Sequence, residues 1–254
     1  MSRKKHSFRE QFPLRALFLS LVILISCLAL LSHTSRTAAA APALVAAKEI
    51  KTADPREELY TSLHLDAMGL SHEAFEYGLQ GLNRLASAGK VENSDILSIV
   101  DFSLPSASKR LFVINLKTGE LLFNTLVSHG RNSGRETATA FSNEPNSFKS
   151  SLGFYVTGTT YQGHHGYSLK LAGQEQGIND KAESRGIVMH CAPYVDEKVA
   201  RAQGYIGRSQ GCPAIPSDVY KEVIGKIRNG TCLFLYSPDK FYASHSTILQ
   251  NNLG

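Results

Sequence analysis

The chain has 254 residues, 43% of them hydrophobic, with 27 Lys and Arg against 22 Asp and Glu, a formal net charge of +5. So much apolar content excludes an intrinsically disordered chain, and the length suits one large domain or two small ones. The charge excess does not indicate a nucleic-acid partner: residues 1–43 hold six basic side chains and one acidic, and the remaining 211 residues are balanced at 21 of each sign. Arg3, Lys4, Lys5, Arg9 and Arg15 precede an apolar run at 16–31, and an alanine cluster follows at 38–41. Basic start, apolar middle and small-residue end are the layout of a cleaved export signal. Two alternatives stay open. The run could remain as a membrane tether, and residues 24–27 resemble a lipobox in which Cys27 would carry lipid. All three place the body outside the cytoplasm, in the periplasm or cell envelope.

Residues 44–53 read as a tether. Asp54, Pro55 and Glu57 then supply a helix start, with a carboxylate cap, proline at the first helical position and Glu three residues after the cap. Leu59, Leu63 and Ala67 continue it only briefly. Ser71 caps a second helix whose stripe is Phe75, Leu79, Leu82 and Leu85, and Gly89 ends it. From Ile96 the pattern changes to short runs of strand formers, predicted at 96–103, 110–116, 120–128, 151–161, 167–173, 185–191 and 231–237, with Lys117-Thr118-Gly119 as a hairpin connection. Helical pieces are predicted at 195–203 and at 218–228, the latter capped by Ser217 and ended by Asn229-Gly230. Residues 129–150 form a long polar stretch, functional or mobile. The expected fold is mainly β with small helices. Its parts are the export signal or anchor (1–43), the tether and N-terminal helices (44–94), a β-rich domain (95–240) and a C-terminal tail (241–254).

Past residue 43 the cysteines are Cys191, Cys212 and Cys232, an odd number, so at least one has no partner within the chain. A Cys191–Cys232 bond stays open. His190 ends a strand run and Cys212 follows Gly211 in a turn. A cysteine with a reference pKa of about 8.5 needs a base near neutrality, and an imidazole can take its proton and return it to a leaving amine. Gly211 allows a tight turn that leaves N–H groups near the sulfur.

The stretches GIVMHCAPYV (186–195) and GRSQGCPAIP (207–216) resemble the catalytic core of the YkuD-type L,D-transpeptidases, in the murein L,D-transpeptidase catalytic domain branch. The blocks VSHGRNSG (127–134), 141–169 and GIND (177–180) extend the likeness over about residues 95–237. The resemblance implies a YkuD-type fold, with Cys212 as nucleophile, His190 as base and the Cys191 backbone carbonyl holding the imidazole. It also implies Gly211 and Cys212 N–H groups as the oxyanion hole, and a substrate site with Ser209, Gln210, Arg208, Tyr161 and His129. Three positions depart from the family pattern. Gln210 replaces the second motif histidine, Ala214 stands where an arginine is common, and Cys191 replaces a glycine or serine. Arg208 is the expected replacement for the lost arginine at a substrate carboxylate.

The substrate class so implied is peptidoglycan stem peptides, attacked through a thioester with no metal or organic cofactor. An L,D-carboxypeptidase or endopeptidase using the same thioester is one alternative, and a non-catalytic wall-binding module another. His129, His164 and His165 do not suggest zinc, because no CxxC or HExxH spacing accompanies them. The oligomeric state is not legible.

Overall fold

A computed structural model describes residues 54–250. The export signal, anchor and lipobox readings, Cys27 and the 44–53 tether all lie outside the described residues. No helix among the described residues is long and apolar enough to cross a membrane.

Two helices lead. In α1 (Pro55–Ser62) the Asp54 side chain accepts a hydrogen bond from Arg56 N and proline occupies the first turn, as the sequence predicts. Glu57 turns away from the cap to His72, at 2.8 Å. In α2 (His72–Ser87) the Ser71 hydroxyl accepts from Ala74 N, and Phe75, Leu79, Leu82 and Leu85 are all buried. Gly89, at φ +64°, follows the helix end.

Eight strands form one sheet: β1 (Ile96–Asp101), β2 (Leu111–Asn115), β3 (Glu120–Thr125), β4 (Gly153–Gly163), β5 (Gly166–Gly173), β6 (Val188–Cys191), β7 (Ala214–Ile215) and β8 (Cys232–Tyr236). Their order is β3-β2-β1-β8-β4-β5-β6-β7. The β1–β8 and β6–β7 pairs are parallel and the others antiparallel. Around them lie α3 (Glu197–Gln203), α4 (Tyr220–Ile227) and α5 (Lys240–His245). Every predicted strand is present, and the mainly β class with small helices holds. The two-residue β7 was not foreseen, because a strand so short carries no period. Ser217 does not cap α4: the helix starts at Tyr220, and its cap residue Val219 makes no side-chain bond. Asn229 and Gly230, at φ +62° and +87°, do end it. Cys191, Cys212 and Cys232 are all free thiols, so the disulfide reading falls; Cys232 is buried within β8.

Helix α2 packs on β1 and β8, where Phe154 of β4 stacks on Phe234 of β8 at 4.2 Å and 7°. The segment expected to be a tail from residue 241 folds inward. Tyr242 and Ser246 are buried, and both hydroxyls bond to the buried Glu175 carboxylate, which also accepts from Phe154 N at 2.8 Å.

A side chain on Gly81 of α2 would put its Cβ 2.1 Å from the Phe154 ring, which Phe234 prevents from retreating. Helix propensity alone would make Gly81→Ala stabilising by about 1 kcal/mol. The packing predicts the opposite sign, a loss of roughly 1–3 kcal/mol in equilibrium denaturation. A higher midpoint for the variant would refute this contact.

Candidate active site

Strand β6 ends in His190 and Cys191, and the parallel β7 lies beside it with His190 opposite Ala214 and Cys191 opposite Ile215. Cys212 therefore sits two residues before the partner of His190. Both side chains line one cleft of about 570 Å³, together with Tyr161, Arg208, Ser209 and Gln210. The structure thus brings together most residues singled out from the sequence.

His190 is almost fully buried, and its Nδ1 lies 2.8 Å from the Cys191 carbonyl. That contact makes Nδ1 the protonated nitrogen, so Nε2 of the neutral ring carries the free lone pair. Burial holds the imidazole pKa below its ordinary value; the Cys191 bond opposes this, and His165 adds to it. The ring of His165, at the turn between β4 and β5, stacks on His190 at 4.2 Å and 18°.

The Cys212 thiol is partly buried, and Sγ lies 3.7 Å from the Gly186 carbonyl, to which it donates. Burial pushes its pKa up, while hydrogen bonding from Val188 N and the charge of Arg185 pull the other way. With the thiol raised and the imidazole lowered, both groups rest neutral in the shared cleft: a protonated sulfur and an imidazole with one unprotonated nitrogen.

The turn carrying the sulfur is tied by Ser209, whose hydroxyl accepts from Gly211 N at 3.0 Å and donates to the Cys212 carbonyl at 2.7 Å. Gly211 sits at φ +124°, and a Cβ there would meet the Lys149 carbonyl at 2.7 Å, so this position requires glycine. The same geometry corrects one expectation. The Gly211 N–H has a single hydrogen, already given to Ser209, and is not a free oxyanion donor.

His129 is a second correction. It is fully buried behind the cleft and lines no part of it. Arg110 Nη2 donates to its Nδ1 at 2.7 Å, and its Nε2 faces the Gly134 carbonyl at 3.2 Å. Burial and the neighbouring Arg110 push its pKa down to about 4, so it is neutral and structural. Its backbone does reach the site: Ser209 N donates to the His129 carbonyl at 3.0 Å, and Arg131 N to the Ser209 carbonyl at 2.8 Å.

Sequence reasoning passed over Arg131, Arg185 and Phe148, which also line the cleft. Arg185 holds the 142–151 stretch: Nη1 donates to the Ser142 carbonyl at 2.9 Å, and Nη2 to Ser147 Oγ at 3.2 Å and the Lys149 carbonyl at 2.7 Å. The long polar stretch at 129–150 is therefore pinned into the site. The available signal was Arg131 inside the block 127–134 and Arg185 at the start of the strand run predicted at 185–191.

No curated relative matches the chain. Among solved structures it is similar to an L,D-transpeptidase from Mycobacterium smegmatis, at 15% identity over 56% of this chain and 59% of that one, TM-score 0.35. It is also similar to the helical cell shape determining protein Pgp2 from Campylobacter jejuni, at 15% identity over 63% and 55%, TM-score 0.36. A third is an L,D-transpeptidase from Stackebrandtia nassauensis, at 14% over 73% and 77%, TM-score 0.35. The chain spans less than two thirds of the first two. The family model described as L,D-transpeptidase catalytic domain matches residues 66–236, well over half of the sequence, and the chain belongs to that family.

Proposed function

We propose that the chain is a cysteine-dependent L,D-transpeptidase acting on peptidoglycan stem peptides through a thioester. The observation that carries this reading is the shared cleft of Cys212 and His190, with the imidazole tautomer set by the Cys191 carbonyl. In the first half-reaction His190 Nε2 takes the Cys212 proton as the sulfur attacks the carbonyl carbon of an L,D-configured peptide bond. Collapse of the tetrahedral species breaks the C–N bond. The terminal D-amino acid leaves with the proton returned by His190, and an acyl thioester remains. An amine of a second stem peptide then attacks that carbonyl, gives its proton to His190, and expels the Cys212 thiolate. Neither half-reaction calls for a metal or organic cofactor.

The Cys212 N–H, beside the sulfur, is the oxyanion donor in this scheme, since Gly211 N–H is committed to Ser209. Ser209 positions the turn, while Gln210 and Tyr161 border the substrate on the cleft rim. Export fits the basic and apolar N-terminal stretch, because the proposed substrate lies outside the cytoplasm.

Two outcomes test the scheme. A thiol-directed acylating β-lactam of the carbapenem class should add one acyl group to the wild-type chain by intact mass, and none to Cys212→Ala. Equal labelling of both would sink the assignment. Ser209→Ala strands the Gly211 N–H and the Cys212 carbonyl, so stability should drop by about 1–2 kcal/mol and the acylation rate by roughly tenfold. An unchanged acylation rate would remove Ser209 from the positioning role.

A further inference from the structure

The His190 ring is held by one hydrogen bond, from its Nδ1 to the Cys191 carbonyl. One bond fixes one edge of the ring, and the outer torsion of a histidine side chain is soft, so the imidazole could still pivot and carry Nε2 away from the sulfur. The Cys212 thiol is no second anchor, because its own hydrogen bond goes to the Gly186 carbonyl at 3.7 Å. Another group must hold the plane of the ring.

His165 is placed to do so. Strand β5 pairs with β6 through Leu169 and Met189, the residue before His190, and His165 lies four residues before Leu169, in the two-residue turn of the β4–β5 hairpin. Gly163 pairs with Gly166 across that turn, and a Cβ on Gly163 would stand 2.6 Å from the Tyr161 ring, which lies against the backbone there. The hairpin tip thereby reaches the cleft. The His165 ring lies nearly parallel to His190, with centroids 4.2 Å apart and planes at 18°, and His164 meets His165 edge-on at 5.0 Å and 78°. His165 is exposed, and among the described residues no hydrogen bond or ion pair holds its ring. Core packing does not account for an exposed imidazole laid flat on the base.

The stack also bears on the proton. The charged groups lining the cleft are Arg131, Arg185 and Arg208, its other titratable groups are Tyr161, Tyr194, His164 and Cys212, and no Asp or Glu is among them. An imidazolium formed at His190 therefore meets no carboxylate in the cleft. What lies against it is the face of His165, which favours a cation when that ring is neutral and opposes it when charged.

We propose that His165 is a positioning residue for the reaction: laid flat on His190, it stops the imidazole from pivoting and keeps Nε2 turned toward Cys212. This rests on the proposed function in taking His190 as the base.

The test is the acylation rate of the full chain by a carbapenem across pH, in His165→Ala and His165→Phe beside the wild type. Burial and the His165 charge both hold the His190 pKa down; removing the ring weakens both, so that pKa rises. His165→Ala should be slower by roughly tenfold at neutral pH, with its rate limb moved to higher pH. His165→Phe restores a flat ring without a charge, so it should recover most of the rate, with a limb between the other two. An unchanged His165→Ala rate, a slower rate whose limb has not moved, or a His165→Phe chain no faster than His165→Ala would overturn the positioning role. His190→Gln keeps the two failures apart. Acylation indifferent to that change removes the base itself, whereas a strong His190 dependence with an indifferent residue 165 removes only the stack.

Discussion

The two-residue parallel ladder between β6 and β7 is the constraint on which the site depends. It sets Ala214 opposite His190, and so fixes how far the preceding turn can carry the Cys212 sulfur from the imidazole. A pair so short contributes little stability of its own. Its geometry is imposed by what surrounds it. Strand β5 holds β6 from one side through Leu169–Met189 and Lys170–Val188, and α4 packs on both β5 and β6 through Val223, Ile224 and Ile227. On the other side Ser128 N donates to the Ala214 carbonyl at 2.8 Å, and Ala214 N to Ser128 Oγ at 3.3 Å.

Behind that segment lies a buried cation. Arg110 is fully enclosed, and it bonds to the Val127 carbonyl through Nε and Nη2, to the Leu104 carbonyl through Nη1, and to His129. Burial lowers its pKa to about 9. Satisfying its donors with neutral acceptors spares the cost of an unpaired interior group. In return it fixes residues 127–129, whose backbone holds Ser209. The Gly134 carbonyl receives both His129 Nε2 and Arg208 Nη1, so one chain of contacts runs from the core to the cleft rim. The turn that carries Cys212 thus rests on a frame assembled from residues more than eighty positions away in sequence.

Much of this was legible beforehand. Alternating or continuous runs of strand formers located seven of the eight strands, because each buries enough apolar surface to leave a pattern. The helix caps at Asp54 and Ser71 were readable since capping is a local contact. The His190–Cys212 pair was raised by a strand-end imidazole and a cysteine after glycine, the resemblance of two separated blocks added the Cys191 carbonyl, and the shared cleft and the 2.8 Å contact are consistent with both. What stayed hidden depends on distant partners. His129 sits in a familiar block next to the site, yet its side chain points into the core because Arg110, nineteen residues earlier, is there to meet it. The Gly211 N–H looked free because the competing acceptor, Ser209 Oγ, is decided by the turn's conformation and not by composition. Ser217 failed as a cap because the chain delays the helix by two residues after it.

The central claim is that a neutral His190 takes the proton from a neutral Cys212 thiol. Its most direct test is the acylation rate of Cys212 by a carbapenem as a function of pH, in the wild type and in His190→Gln. The base must be unprotonated, and burial holds the imidazole pKa below its ordinary value of about 6.5. The wild-type rate should therefore climb through a limb centred below that value as His190 loses its proton, then remain high through neutrality. His190→Gln should lose that limb and be slower by roughly 10²–10⁴ at neutral pH. Superimposable profiles for the two chains would contradict the account.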